Sequence, residues 1–153
     1  MIIRSGQFRR HGLTVRRLGE VERVFVVGKG YLSNQNNLTD PMELMDWDWI
    51  NYRHAKRNYK LKSDAGHSRR LTIDKQARLR VDSIDALYAF TCMDRGVTVM
   101  PLEFAKRGIK EQKLVQILSD WKLSPAKYYA IWPDKSRRQS LISLFADFRS
   151  LFL

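Results

Sequence analysis

RLRVDSIDALYAFTCMDRGVTVMP, residues 78–101, reads as strand, helix and strand in immediate succession. Leu79 to Val81 begins a strand. Asp82-Ser83-Ile84-Asp85 then supplies an N-cap and acidic residues in the first helical turn, where the helix dipole favours them. The spacing predicts a helix from about Ser83 to Asp94. Its apolar positions Ile84, Leu87, Tyr88, Ala89, Phe90 and Met93 run nearly all the way round, so a buried helix is expected, ended by Gly96. Val97 to Met100 is a short apolar strand that stops at Pro101, because proline cannot continue a central ladder.

On the N-terminal side, VERVFVVG (residues 21–28) is rich in β-branched residues and ends at a glycine, so it reads as a buried strand. Gly28-Lys29-Gly30 lacks the third glycine of a dinucleotide fingerprint and reads as a turn, and Ser33 to Asn37 (SNQNN) reads as loop. Asp40-Pro41 starts a single short helical turn, with Asp40 as cap and Pro41 in the first position. Trp47 to Tyr52 (WDWINY) alternates as a half-buried strand does, with aromatics that pack rather than bind. A hairpin follows, YKLKS out, a turn at DAGHS, and RRLTI back.

On the C-terminal side, Leu102 to Leu118 reads as partly helical and broken at Gly108. Lys127 to Trp132 (KYYAIW) is a strand ended by Pro133. Arg137 to Phe152 carries Leu141, Leu144, Phe145, Phe148, Leu151 and Phe152 at helical spacing, an amphipathic helix that needs a partner surface. Strand and helix signals alternate along the chain, the pattern of an α/β protein.

The chain has 153 residues, 44% hydrophobic and 29% charged, enough for one domain or two small lobes. No apolar run approaches the roughly 20 residues that cross a bilayer. MIIRSGQFRRHGL at the N-terminus has basic residues with no apolar region behind them, so no secretory signal and a cytoplasmic location are expected. Cys92 is the single cysteine, a small core residue with no disulfide partner and no electropositive neighbour. His11, His54 and His67 lie far apart in expected loops, without zinc-helix spacing, and no Gly-x-Ser-x-Gly elbow occurs. No catalytic residue, metal or cofactor is expected, and the chain is not expected to be an enzyme.

A net charge of +12, from 28 Lys and Arg against 16 Asp and Glu, favours phosphate backbones. The cations are spread in short clusters (Arg9-Arg10, Arg16-Arg17, Lys56-Arg57, Arg69-Arg70, Arg137-Arg138) with no stripe along one helix, so a solvated basic surface is the competing reading.

Six signatures in order resemble the regulatory half of LysR-type transcriptional regulators. MIIRSG (1–6) is similar to the family's strand ending in Ile-Arg-any-Gly, and VRRLGEVERVFVVGKGYL (15–32) resembles its crossover strand and following Tyr-Leu. TDPMELMDWDWI (39–50) resembles its Pro-x-x-Leu helix, and residues 78–101 resemble its strand, buried helix and Gly-to-Pro segment. KLVQILSDWKLSPAKYYAIWPDK (113–135) and the terminal Phe-rich helix complete the order.

The resemblance implies a periplasmic-binding-protein-like (type 2) α/β fold of two lobes joined by crossing strands, with a small-molecule effector in the cleft between them. It implies a second lobe at about 22–131 and a remnant of the first at 1–21 and 132–153. The family's winged helix-turn-helix and linker helix, through which alone it contacts DNA, are absent from these residues, so the first lobe is expected to be incomplete. The effector positions it implies are Arg4, Gly6, Val81, Asp82, Ser83, Met100 and Pro101. Residues 82 and 83 open a helix, whose free amides favour an anion. Simple capping is the competing reading there, and Arg4 serves equally as half of an anion pair or of a surface ion pair. A basic nucleic-acid-binding protein, or a fragment of a solute-binding protein of the same fold, are the alternatives to the regulator.

Several large side chains on the C-terminal helix would each lose roughly 1.5–3 kcal/mol if uncovered, so a homo-oligomer is expected. Size-exclusion chromatography across a dilution series should show self-association. A folded monomer at every concentration would contradict it.

Overall fold

In the computed structural model, which describes residues 2–5, 12–35, 38–53, 55, 57–73 and 77–133, two units are separated by their contacts: residues 1–21 with 125–153, and residues 22–124. The chain runs β1 (Ile2–Ser5), β2 (Leu13–Val21), β3 (Arg23–Gly28), α1 (Lys29–Ser33), a 3-10 turn (Pro41–Met45), β4 (Ile50–Tyr52), β5 (Asn58–Ser63) and β6 (Ser68–Thr72). It continues through β7 (Leu79–Val81), α2 (Ile84–Cys92), β8 (Val97–Pro101), α3 (Leu102–Lys110), β9 (Leu114–Ile117), β10 (Trp121–Leu123) and β11 (Ala126–Pro133). The expected helix over 137–152 lies outside the described residues.

In the first unit β11 is the middle strand of an antiparallel sheet ordered β1-β11-β2, with Ile131 opposite both Ile2 and Val15. The division between units falls at Ser124/Pro125 rather than near 131, because the whole of β11 pairs with β1 and β2.

The second unit is built on β3. It lies antiparallel between β8 and β9, and β8 continues laterally to β4 through a parallel Trp49–Val97 bridge, with β7 parallel to β4 at the far edge. Thr98 reinforces the bridge, its buried Oγ1 donating to the Ile50 carbonyl at 2.8 Å. Alternate residues of β3 point to opposite layers. Val24 and Val26 pack with Ile50, Leu87, Met100, Ala105 and Leu114 beneath α2 and α3. Phe25 and Val27 pack with Trp49, Val97 and Ile117 against Tyr59, Leu61, Leu71 and Leu123 of a second sheet, ordered β10-β5-β6. Burial on both faces explains an apolar run where a one-sided strand would alternate. The same reason corrects the half-buried reading of residues 47–52: Trp47, Trp49, Ile50 and Asn51 are all buried, and the strand proper is only Ile50–Tyr52. Trp49 stacks on Tyr59 at 5.8 Å and donates its indole N–H to the Leu44 carbonyl at 2.7 Å, while Phe25 meets both rings edge-on.

The Asp40 cap, the hairpin of β5 and β6 and the strand at Leu79 stand where expected. Other expectations need correction. α2 is a surface helix: only Leu87 and Thr91 are fully buried, Met93 is 56% exposed, and helices of this length cover a sheet with one side. It ends at Cys92, with Asp94 rather than Gly96 taking the left-handed conformation first (φ 59°). Gly28-Lys29-Gly30 leads into helix α1, not a turn, because the Asp94 carboxylate accepts the Tyr31 amide at 2.9 Å. Gly108 does not break α3, which runs through it; a Cβ there would stand 2.6 Å from Leu114 Cδ1, so the glycine serves close packing of helix on strand. β8 includes Pro101, which pairs with Arg23 as the last residue of the ladder.

A Cβ at Gly28 would run into the Asp94 carboxylate and stand 2.5 Å from the Thr91 carbonyl oxygen, a backbone atom that cannot swing aside. Gly28→Ala should therefore lower stability by about 1–3 kcal/mol in urea titration, the cost of overpacking. Burial pushes the Tyr59 phenol up to about 12, against a smaller opposing pull from the Arg23 charge. A phenol that stays protonated longer when folded stabilises fully below its unfolded pKa of about 10, and loses that contribution as pH rises through the folded value. The native chain should lose about 2–3 kcal/mol more stability than Tyr59→Phe between about pH 10 and pH 12.

Candidate effector site

β4, β7 and β8 run parallel, so their carboxyl ends, Tyr52, Val81 and Pro101, reach the same edge of the sheet in the second unit. α2 and α3 both start from that edge. In open α/β sheets ligands bind outside the carboxyl ends of parallel strands, because strands stop and helix N-termini begin there with free amides. Five of the expected effector positions, Val81, Asp82, Ser83, Met100 and Pro101, are brought to this edge by the fold.

They differ in what they can offer. Ser83 is the N-cap of α2, its Oγ accepting from the Asp85 and Ala86 amides at 3.2 and 3.4 Å. Its hydroxyl is thus engaged in capping, while Asp82 beside it is exposed. The Val81 carbonyl accepts the Arg53 amide at 2.7 Å, which ties the loop after β4 to the end of β7. Met100 is 1% exposed and its side chain belongs to the core beneath α2 and α3, so only its backbone is left for a ligand. Pro101 precedes α3 in extended conformation, and the Leu102 amide donates to the Glu22 carbonyl at 3.0 Å.

Arg4 lies in the first unit, on β1 opposite Tyr129. Gly6 lies outside the described residues.

Asn51 was not singled out in the sequence. It sits on β4, one residue before the carboxyl end, buried, and its amide Nδ2 has no hydrogen-bond partner among the described residues. An orphaned buried donor costs about 1–3 kcal/mol, a cost that an acceptor on a ligand would remove. Asn-Tyr at the end of an aromatic strand carries no periodic signal, so only the fold exposes it.

The described residues hold no cluster of three metal-ligating side chains. His67 lies in the exposed hairpin turn, while His11 and His54 are outside the described residues. Cys92 is half-buried and free. One turn before it on α2, Tyr88 has the Arg107 guanidinium 5.9 Å from its ring centroid, and Arg107 and Lys113 share one carboxylate. Both cations pair with Glu111, at 3.1 and 2.7 Å, which offsets their field. No described helix is long and apolar enough to cross a membrane, which leaves β-barrels unaddressed.

The sequence model of the LysR substrate binding domain matches residues 1–150. The HTH-type transcriptional regulator PtxR of Pseudomonas aeruginosa is 26% identical over 133 residues, 87% of this chain and 42% of PtxR, so the chain spans under half the length of that relative. The full-length Vibrio cholerae virulence activator AphB, a member of the LTTR protein family, superposes with a TM-score of 0.76 at 25% identity over 99% of this chain and 51% of AphB. The CrgA regulatory domain of Neisseria meningitidis shares the fold, with a TM-score of 0.73 at 15% identity over 99% of this chain and 74% of that one. The α/β architecture is that of the type 2 periplasmic-binding-protein-like fold, and the chain belongs to the LysR substrate-binding domain family, the effector-binding domain of LysR-type transcriptional regulators.

Proposed function

We propose that this chain senses a small-molecule effector, anionic in character, and that it thereby controls DNA binding by an N-terminal helix-turn-helix of a self-associating parent regulator. The observation that carries the reading is the shared carboxyl edge of β4, β7 and β8, from which α2 starts, with Asn51 one residue short of the end of β4 and its buried amide without a partner among the described residues. On this reading the positive end of the α2 dipole favours a carboxylate, with Ile84 the first-turn amide that Ser83 leaves uncapped, and Asn51 donates to it. On the same reading Asp82 and the Met100 and Pro101 backbone border the site, while Arg4 and Gly6 are effector positions on the family resemblance alone.

A sensor needs a ligand that binds one arrangement of its lobes better than another, and nothing more.

Thermal-shift measurement against a panel of small carboxylates and organic phosphates tests this. A ligand at about 100 times its Kd should add about 2.7 kcal/mol to stability. Asn51→Leu, which replaces an unpaired amide with an apolar side chain of similar size, should leave the unliganded chain as stable or more so. It should also weaken that ligand by tenfold or more. A panel without a stabilising member, or a full response in Asn51→Leu, would count against the assignment.

A further inference from the structure

The hairpin of β5 and β6, joined by β10, turns one face to the core and the other to solvent. Tyr59, Leu61, Leu71 and Leu123 are the core face. Strand alternation then sends Lys60, Lys62, Arg70 and Lys122 outward together, and all four are exposed. The register sets Lys60 directly opposite Arg70, and Lys62 directly opposite Lys122. Like charges placed opposite one another destabilise a sheet. Arg69, on the edge strand opposite the inward-facing Leu61, leaves from the other side of the pleat but borders the same open depression of about 530 Å³. Asp64 offsets only Lys122, at 3.0 Å; among the described residues no carboxylate lies within 4.0 Å of the Lys60, Lys62, Arg69 or Arg70 head groups.

We propose that this sheet face docks the phosphate backbone of duplex DNA, as a second, sequence-independent contact beside that of the regulator's reading head. The proposal rests on membership of a DNA-binding regulator family for the identity of the polyanion, and on the cross-strand cation pairs for the site. The depression is open and lined by flexible, hydrated side chains, with no buried donor to strip water from a small ion. Such a surface gains affinity by releasing counterions from a polyelectrolyte. Its roughly 20 Å length along β5 and roughly 10 Å width span several phosphates of one strand, at about 3.4 Å rise each. Among the described residues no aromatic or amide side chain lines it, so its contacts are those of cations to phosphates, without an aromatic platform for bases. A polyanion across the face would remove the repulsion within both cation pairs. DNA already held by a neighbouring domain would arrive at high effective concentration. This adds a DNA contact to a domain expected to reach DNA only through its partner domain.

Fluorescence anisotropy of the whole chain with a labelled duplex of roughly 20 base pairs, from about 50 to 200 mM salt, tests the proposal. The logarithm of affinity should fall against that of salt with a slope of about −3 to −4, near 0.9 per phosphate neutralised. Lys60→Gln, Lys62→Gln, Arg69→Gln and Arg70→Gln combined should flatten the slope to near zero and melt no lower than the parent, since two like-charge pairs disappear. The double variant Lys60→Gln, Arg70→Gln should remove about half the slope. A control that removes the same charge from Arg53, Arg80, Arg95 and Lys110 should retain it. Equal losses in the two fourfold variants would overturn the proposal in favour of diffuse charge. Tighter binding of poly-glutamate or of inorganic triphosphate than of the duplex would overturn it in favour of an acidic protein or a small anion. Effector-induced thermal shifts are independent of these outcomes, so failure here and failure of the sensor reading are distinguishable.

Discussion

Burial of β3 on both faces is the constraint on which the second unit depends. Val24 and Val26 demand one apolar layer and Phe25 and Val27 another, because a pleated strand sends successive side chains to opposite sides. Helices α2 and α3 supply the first layer, and the β5-β6-β10 sheet with the 3-10 turn supplies the second. Four buried side chains, at roughly 1.5–3 kcal/mol each, make a strand that cannot be moved to an edge without uncovering both layers.

The site geometry follows from that arrangement. With α2 and α3 packed on one face, the strands feeding them, β7 and β8, must run parallel and end at the same edge as β4. Helix N-termini and strand ends therefore meet where the chain turns, and backbone amides are concentrated there without a dedicated binding sequence. Ser83 occupies part of this supply as a cap. Among the described residues the Asn51 amide and the Tyr88 hydroxyl are buried without a partner, and Asn51 is the one on a strand that ends at that edge.

The strands and the hairpin were legible because their signals are local: β-branched runs, an Asp-Pro start, a glycine turn between alternating segments. The misreadings share a cause. Gly108 reads as a helix breaker until Leu114 is seen packed where its Cβ would be, and Gly28 to Gly30 read as a turn until Asp94 arrives from far along the chain to anchor α1. The apolar surround of α2 suggested deep burial, yet a helix on one face of a sheet leaves Met93 in water. Of the proposed site, residues 81–83 and 100–101 enter as what the family resemblance implies, while Asn51 carried no sequence signal because its distinction is a missing partner.

By itself the sequence determined the identity of the central strand, the alternation of strands and helices, and the family, since these rest on runs of neighbouring residues. It also held the excess of positive charge, but not its arrangement. Lys60, Lys62, Arg70 and Lys122 come from three strands, and Arg69-Arg70 alone is an ordinary basic pair. Only the tertiary structure decided that they share a face. Strand register is set by which side chains the core accepts, and fixing Tyr59, Leu61, Leu71 and Leu123 inward leaves the cations between them no direction but outward, opposite one another.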